Sequence, residues 1–285
     1  MANVHLSKLR ITFWGYLFYK LMPLRKQIVL DNIDRVFKNS ATPKEKKRLA
    51  LAFYSHVCSI LKELLLLGWL STERIKRQVE VRGVEYLVEA MKQERGALIL
   101  TGHFGCWEIE PVGFQSISQF ADKMHIIRRP IRNKWLEKKI FQRFDRWGIK
   151  RINSFDGIKK INAALKKREI VIYAFDQHAE TRSGMGIAVD FFEIKAGTYR
   201  SLAVFAQKYQ TPIIPLSIYR EKSNKHVLEF HPALSWDDDL DKEKAIYNNT
   251  LKYNQTLEKI ILQYPEQWWW VHRRWKLTDS NSPTP

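Results

Sequence analysis

The stretch Ala97–Glu108 reads ALILTGHFGCWE. Ala97–Leu100 has the length and composition of a strand buried on both faces. Gly102 and Gly105 permit a tight turn directly after it, and Trp107–Gln119 then has the pattern of a helix. A buried strand running through a tight turn into a helix is the repeating unit of an α/β fold. His103 falls in the turn and Glu108 one helical turn later. From there the Glu108 carboxylate can return toward the imidazole, hold one ring nitrogen and fix the tautomer, leaving the other nitrogen to take a proton from a substrate hydroxyl. Strand ends in open α/β sheets are the usual place for such a site. A capping histidine beside a helix-start carboxylate would share the same bare spacing, so the weight rests on its placement between strand and helix.

Outward from this stretch the rhythm repeats. Met124–Ile127, Ile170–Phe175, Pro212–Tyr219 and Val227–His231 read as strands. Val84–Glu94, Asn133–Trp147, Asp156–Arg168, Gly197–Tyr209 and Asp241–Gln263 read as helices. The alternation predicts an α/β fold with a mostly parallel central sheet flanked by helices. Gln177–Ala196, containing Gly184 and Gly186, reads as a long loop suited to a lid or an acceptor-binding role. Upstream, Thr42-Pro43-Lys44-Glu45 is a helix start with a capping box, and the helix that follows runs to about Leu67. The expected organisation is a helical, membrane-associating region over 1–82, an α/β core over 83–276 and a flexible tail over 277–285.

The chain has 285 residues, of which 45% are hydrophobic and 27% charged, enough for a substantial core. Lys and Arg total 48 against 30 Asp and Glu, a formal net charge of +18. Such a field favours polyanions: nucleic acid, anionic lipid or an acidic carrier protein. Asp122–Arg168 alone holds 16 Lys/Arg and 4 Asp/Glu. No nucleic-acid-binding motif accompanies the charge, so a basic nucleic-acid-binding protein is the rival from another class rather than the first reading. Two cysteines, Cys58 and Cys106, form no disulfide framework and fit a reducing compartment. No Gly-x-Ser-x-Gly elbow offers a serine nucleophile. The spacing of His103, Cys106, Glu108, Asp176 and His178 matches no standard zinc pattern, so no metal is expected.

Ile11–Leu24 reads ITFWGYLFYKLMPL, and no acidic residue occurs before Asp31. The run is short for a span of about 20 residues. Aromatic side chains with cationic flanks suit the headgroup boundary, as does packing on the protein's own core. Trp268–Trp270 beside Arg273, Arg274 and Lys276 admits the same two readings, interfacial anchoring or packing.

GHFGCWE resembles the HX4E box of the bacterial late acyltransferases of lipid A biosynthesis, within the lysophospholipid and glycerolipid acyltransferase superfamily. Further segments match in order. Pro23-Leu24-Arg25 with Asn32 and Phe37 is similar to the family's N-terminal stretch. Arg128-Arg129-Pro130 with Asn133 looks like its second box, and Asp176-Gln177-His178 like its third. Val189-Asp190-Phe191-Phe192 with Ala196-Gly197-Thr198 resembles its FF…A-x-T segment. Pro265-Glu266-Gln267-Trp268 and Val271-His272-Arg273-Arg274-Trp275 resemble its C-terminal signature. The resemblance implies a glycerolipid acyltransferase-like fold. It also implies transfer of a fatty acyl group from acyl-carrier protein, or less often acyl-CoA, to a hydroxyl of a lipid A precursor-like glycolipid. The setting it implies is the cytoplasmic face of the inner membrane, with no cofactor beyond the thioester co-substrate. His103 and Glu108 become the catalytic pair, and Arg129 and Asp176 bind substrate. Arg129 could neutralise a phosphate or a developing oxyanion, while Asp176 ends a buried strand where ligands often meet polar groups. Another lipid, such as a lysophospholipid, is the alternative acceptor.

Overall fold

A computed structural model describes residues 5–66, 71–128, 149–153, 157–222 and 225–279. Three helices come first: α1 (Phe13–Leu21), α2 (Lys26–Phe37) and α3 (Pro43–Leu66). The capping box forms as expected. Thr42 N–H donates to Glu45 Oε2 at 2.9 Å, and Glu45 N–H donates to Thr42 Oγ1 at 3.3 Å. The middle of α3, from Leu49 to Val57, is buried on every side, so its composition serves the core there. Its last turn exposes Leu64, Leu65 and Leu66. By length and composition α3 could cross a bilayer, but 56% of its apolar window is buried within the protein. Helix α1 crosses α3 closely because Gly15 has no side chain: a Cβ there would lie 2.4 Å from Ser55 Cα. The Ser55 hydroxyl accepts from Thr12 N–H at 2.9 Å and secures the contact.

Among the described residues the central sheet has seven strands: β1 (Val79–Arg82), β2 (Ala97–Thr101), β3 (Met124–Arg128), β4 (Lys150–Asn153), β5 (Ile170–Ala174), β8 (Ile213–Lys222) and β9 (Lys225–Phe230). Their order is β1-β9-β8-β2-β5-β3-β4. All neighbours pair in parallel except the hairpin of β8 with β9. The expectation of a mostly parallel sheet flanked by helices is therefore met. Strand β2 is central and wholly buried, and its side chains divide by the period of two. Leu98 and Leu100 face the core that contains the N-terminal helices and the C-terminal tryptophans; Ala97 and Ile99 face the other. The second core is closed by α5 (Val84–Lys92) through Leu87 and Ala90 and by α6 (Glu110–Gln115) through Val112 and Phe114. On the first side lie α7 (Gly157–Lys166), α8 (Ser201–Tyr209) and α9 (Lys242–Gln263). Helix α4 (Thr72–Lys76) precedes β1, and α10 (Lys276–Asp279) closes the described chain.

Several expectations are corrected. The presumed loop Gln177–Ala196 and the start of the presumed helix Gly197–Tyr209 together hold a separate antiparallel hairpin, β6 (Gly186–Phe191) with β7 (Ile194–Tyr199). The helix begins only at Ser201. The hairpin turns on Phe192 and Glu193, both at positive φ (53° and 59°). Two-residue hairpin turns of that hand normally carry Asn or Gly, so the sequence lacked the usual signal. The expected helix from Trp107 is a 3-10 turn, Trp107–Ile109, followed by α6. Pro111 lacks the N–H that a helix continuous from Trp107 would use, and sits instead in the first turn of α6. Strands β1 and β4 were not anticipated. The basic helix expected over Asn133–Trp147 lies outside the described residues, as does most of the expected tail.

The C-terminal aromatic cluster is a packing device. Trp268, Trp270, Trp275 and Arg274 are among the most deeply buried side chains. Arg274 donates to Gly197 O at 2.5 Å and to Thr198 Oγ1 at 2.7 Å, and lies over the Phe191 ring. Phe191 in turn packs on Trp268 and Trp275. The cationic end of this segment thus ties the hairpin to the sheet.

Candidate active site

The turn after β2 is held by backbone contacts on both sides. Phe175 N–H donates to Thr101 O, Gly105 N–H to Gln267 O, and Trp269 N–H to His103 O. Phe104 forms an isolated bridge with Trp268. Residues 103–105 therefore lie along the C-terminal segment almost as a paired strand. Both glycines are required: a Cβ on Gly102 would meet the Phe104 ring at 2.8 Å and Asp176 Cγ at 3.1 Å. Gly105 has φ +53°, and its Cβ would lie 2.6 Å from Ile218 O.

Asp176 follows β5, directly beside this turn, and is completely buried. Its Oδ1 accepts from His103 Nδ1 at 2.8 Å. Its Oδ2 accepts from the His103 backbone N–H and from Trp268 Nε1, each at 2.9 Å. Burial by itself would raise the carboxyl, but the His103 charge and hydrogen bonds outweigh it and hold Asp176 well below the usual carboxylate range. Asp176 is thus a fixed anion that sets both the position and the tautomer of His103. Burial pulls the His103 imidazole down, yet Asp176 and, more weakly, Glu108 pull harder, so its pKa ends above the ordinary histidine value.

The spacing in the sequence assigned the ring-holding role to Glu108. The carboxylate bonded to Nδ1 is Asp176 instead, because the 3-10 turn at Trp107–Ile109 replaces the α-helix on which that geometry depended. Glu108 remains within electrostatic reach of His103. Burial raises its carboxyl above the ordinary range, against the lowering effects of Arg128, Trp107 and His103. Arg129 lies outside the described residues. Sequence reasoning gave no role to Gln177 or His272. The Gln177 side-chain amide donates to His103 Nε2 at 3.3 Å and to His272 Nε2 at 3.2 Å. Burial carries the His272 ring down to about 4, so it is neutral near pH 7. The His103 ring meets Trp107 and His272 edge-on, with centroids 5.4 Å and 5.3 Å apart, and Trp107 meets Trp269 at 5.1 Å.

A second buried network stands behind the turn. His56 Nε2 donates to Gly105 O at 3.2 Å, and Arg220 Nη1 donates to His56 Nδ1 at 3.0 Å. Arg220 also grips Glu63 through two contacts, at 3.1 Å and 2.5 Å. Burial lowers the His56 ring to about 3, with the Arg220 charge adding to it. Helix α3 thereby reaches the turn that carries His103 through a chain of hydrogen bonds. A 610 Å³ cleft lined by Tyr19, Ile33, Asp34, Lys46 and Lys47, among others, shares no residue with this site.

A histidine fixed at one nitrogen by a buried carboxylate is the orienting half of a hydrolase or transferase triad. Comparison with known proteins finds relatives along most of the chain. Residues 5–277 match the model of the bacterial lipid A biosynthesis acyltransferases. The chain is 25% identical over 279 residues to a lipid A biosynthesis lauroyltransferase of Escherichia coli (strain K12), covering 95% of this chain and 85% of that one. It is 24% identical over 256 residues to a lipid A biosynthesis palmitoleoyltransferase of the same organism, covering 88% and 79%. Among solved structures, the 1-acyl-sn-glycerophosphate acyltransferase PlsC from Thermotoga maritima aligns over 92% of this chain and 98% of its own, at 13% identity and a TM-score of 0.39.

Proposed function

Because the chain belongs to the bacterial lipid A biosynthesis acyltransferase family, we propose that it transfers a fatty acyl group from a carrier thioester to a hydroxyl of a lipid A precursor-like glycolipid. The observation that carries this reading is the fixed imidazole: Nδ1 is tied to the buried Asp176, which directs Nε2 outward as the base. In the step we infer, the acceptor oxygen attacks the thioester carbonyl while His103 Nε2 takes its proton. A C–O bond forms, the tetrahedral intermediate collapses, the C–S bond breaks, and the imidazolium returns the proton to the departing thiolate. Asp176 stabilises the imidazolium without itself taking the proton. Glu108, close to the same ring, adds negative potential that favours the charged imidazole as it forms. Arg129 is assigned to a phosphate of acceptor or carrier, or to the oxyanion.

The donor we favour is acyl-acyl carrier protein, in keeping with the family resemblance and the net charge of +18. The site of action we assign is the cytoplasmic face of the inner membrane. In support, α1 exposes Phe13 (72%), Trp14 (68%) and Leu21 (69%), and Leu65 at the end of α3 is 74% exposed. Apolar side chains of this kind are suited to shallow insertion among headgroups. The test is direct: purified protein, an acyl-carrier thioester and a tetra-acylated disaccharide lipid acceptor, followed by mass spectrometry for the new ester. Ester formation that survives His103→Ala in full would overturn the reading.

A further inference from the structure

The outward nitrogen of His103 is occupied in the resting protein. The side-chain amide of Gln177 donates one hydrogen to His103 Nε2 and the other to His272 Nε2, at 3.3 Å and 3.2 Å. An amide –NH2 has two donors and no acceptor, so both imidazoles must present a lone pair at Nε2. For His103 this agrees with its Nδ1 proton being given to Asp176. Gln177 directly follows Asp176 in sequence, so the residue that fixes one face of the imidazole carries on the next position the group that covers the other. His272 stands edge-on to His103 and belongs to the C-terminal segment whose Trp269 N–H binds His103 O.

Resting on the acyl-transfer reading, we propose that Gln177 is a positioning residue that caps the catalytic base until the acceptor hydroxyl displaces it, and that His272 retains the displaced amide. Both bonds are long for N–H···N contacts, so exchange for a hydroxyl is inexpensive. A hydroxyl held by the rest of a bound lipid presents its proton at high effective concentration. A single water lacks that advantage and competes poorly with a tethered amide. The cap therefore discriminates between alcohol and water as the nucleophile, and protects the thioester from hydrolysis. The groups that face His103 are Asp176, Glu108 and His272, with Arg25 acting on His272. Replacing the neutral amide by a carboxylate adds one more anion to this set.

The experiment uses the full chain in detergent with dodecanoyl-acyl carrier protein as donor. Thiol release is followed without acceptor, and thiol release and ester formation with a tetra-acylated disaccharide lipid acceptor. For Gln177→Met, we expect the ratio of hydrolysis to transfer to rise by at least about fivefold, as an uncapped base admits water. For Gln177→Glu, the acidic limb of the pH profile of kcat/KM should move up by about one unit or more, because a carboxylate at Nε2 favours the imidazolium. His272→Phe should raise the hydrolysis ratio with Gln177 intact, since the amide has lost its second anchor. A wild type that forms no ester would overturn the acyl-transfer reading itself. A wild type that transfers, alongside Gln177→Met with an unchanged hydrolysis-to-transfer ratio and Gln177→Glu with an unmoved pH limb, would overturn the cap while leaving that reading intact. Circular dichroism melts of each variant confirm that folded protein is being compared.

Discussion

His103 works through the company it keeps, and each neighbour predicts a measurable consequence. Removing the proposed base by His103→Ala should reduce transfer about 10²–10⁴-fold with the fold retained. Asp176→Asn keeps the shape but forfeits the charge that favours the imidazolium and reverses the hydrogen-bonding preference at one oxygen. A loss of about 10⁴-fold is the expectation by analogy with triads of this construction; equal kcat for Asn and Asp would contradict the assigned orientation. The pH dependence follows from the His103 shift. In the proposed mechanism the neutral ring is the base, and its pKa is raised, so kcat/KM should climb with pH on an acidic limb lying above the ordinary histidine value. For stability the same group has the opposite sense: its contribution is complete below the unfolded histidine pKa and is lost as pH rises through the folded one. Asp176, held low, stabilises the fold above the unfolded carboxyl pKa and ceases to do so as pH falls through its own depressed value.

Elements explain why part of this was legible in the sequence and part was not. Ala97–Leu100, Ile170–Phe175 and the glycine-flanked turn could be read directly, because a fully buried parallel strand has few compositional solutions and a tight turn needs glycine. His103 and Asp176 were found because both follow such strands. Their partnership could not be read, since parallel neighbours come together through topology and not through sequence spacing. Glu108 was paired with His103 because a regular helix was assumed; Pro111 shows why the regular helix starts later. The β6–β7 hairpin was missed because its turn is built on Phe192 and Glu193. Gln177 and His272 lay inside segments resembling family motifs but carried no role of their own: one polar residue after an aspartate, and one histidine in a tryptophan-rich tail, are each common. Helix crossing also yields a test. Gly15→Ala forces a methyl into the Ser55 backbone. Overpacking of that kind costs about 1–3 kcal/mol, so the thermal midpoint should fall measurably, and an unchanged midpoint would mean that α1 does not rest on α3 as described.

Across the whole molecule, α3 joins an exposed apolar surface to the turn that carries His103. One end of that helix carries exposed leucines, and its middle reaches the catalytic turn through His56, with Arg220 and Glu63 closing the chain. Trp14→Asp combined with Leu65→Asp should weaken flotation with anionic vesicles by an order of magnitude or more, since each change removes roughly 1.5–3 kcal/mol of apolar burial; undiminished flotation would place the docking surface elsewhere. Arg220→Met strands Glu63 in the interior, which costs about 3–5 kcal/mol, and calorimetry should register that loss together with a fall in activity.

The backbone pairing of residues 103–105 with the segment around Gln267–Trp269 has a consequence for biogenesis. A ribosome that has finished β2 and the helices after it has still not made the strip that steadies the histidine. On the proposed reading, the early aromatic helix of a nascent chain is available to a lipid surface well before the histidine is steadied. Acyl transfer, as proposed, would then begin only once synthesis has passed the tryptophans, a delay set by chain order.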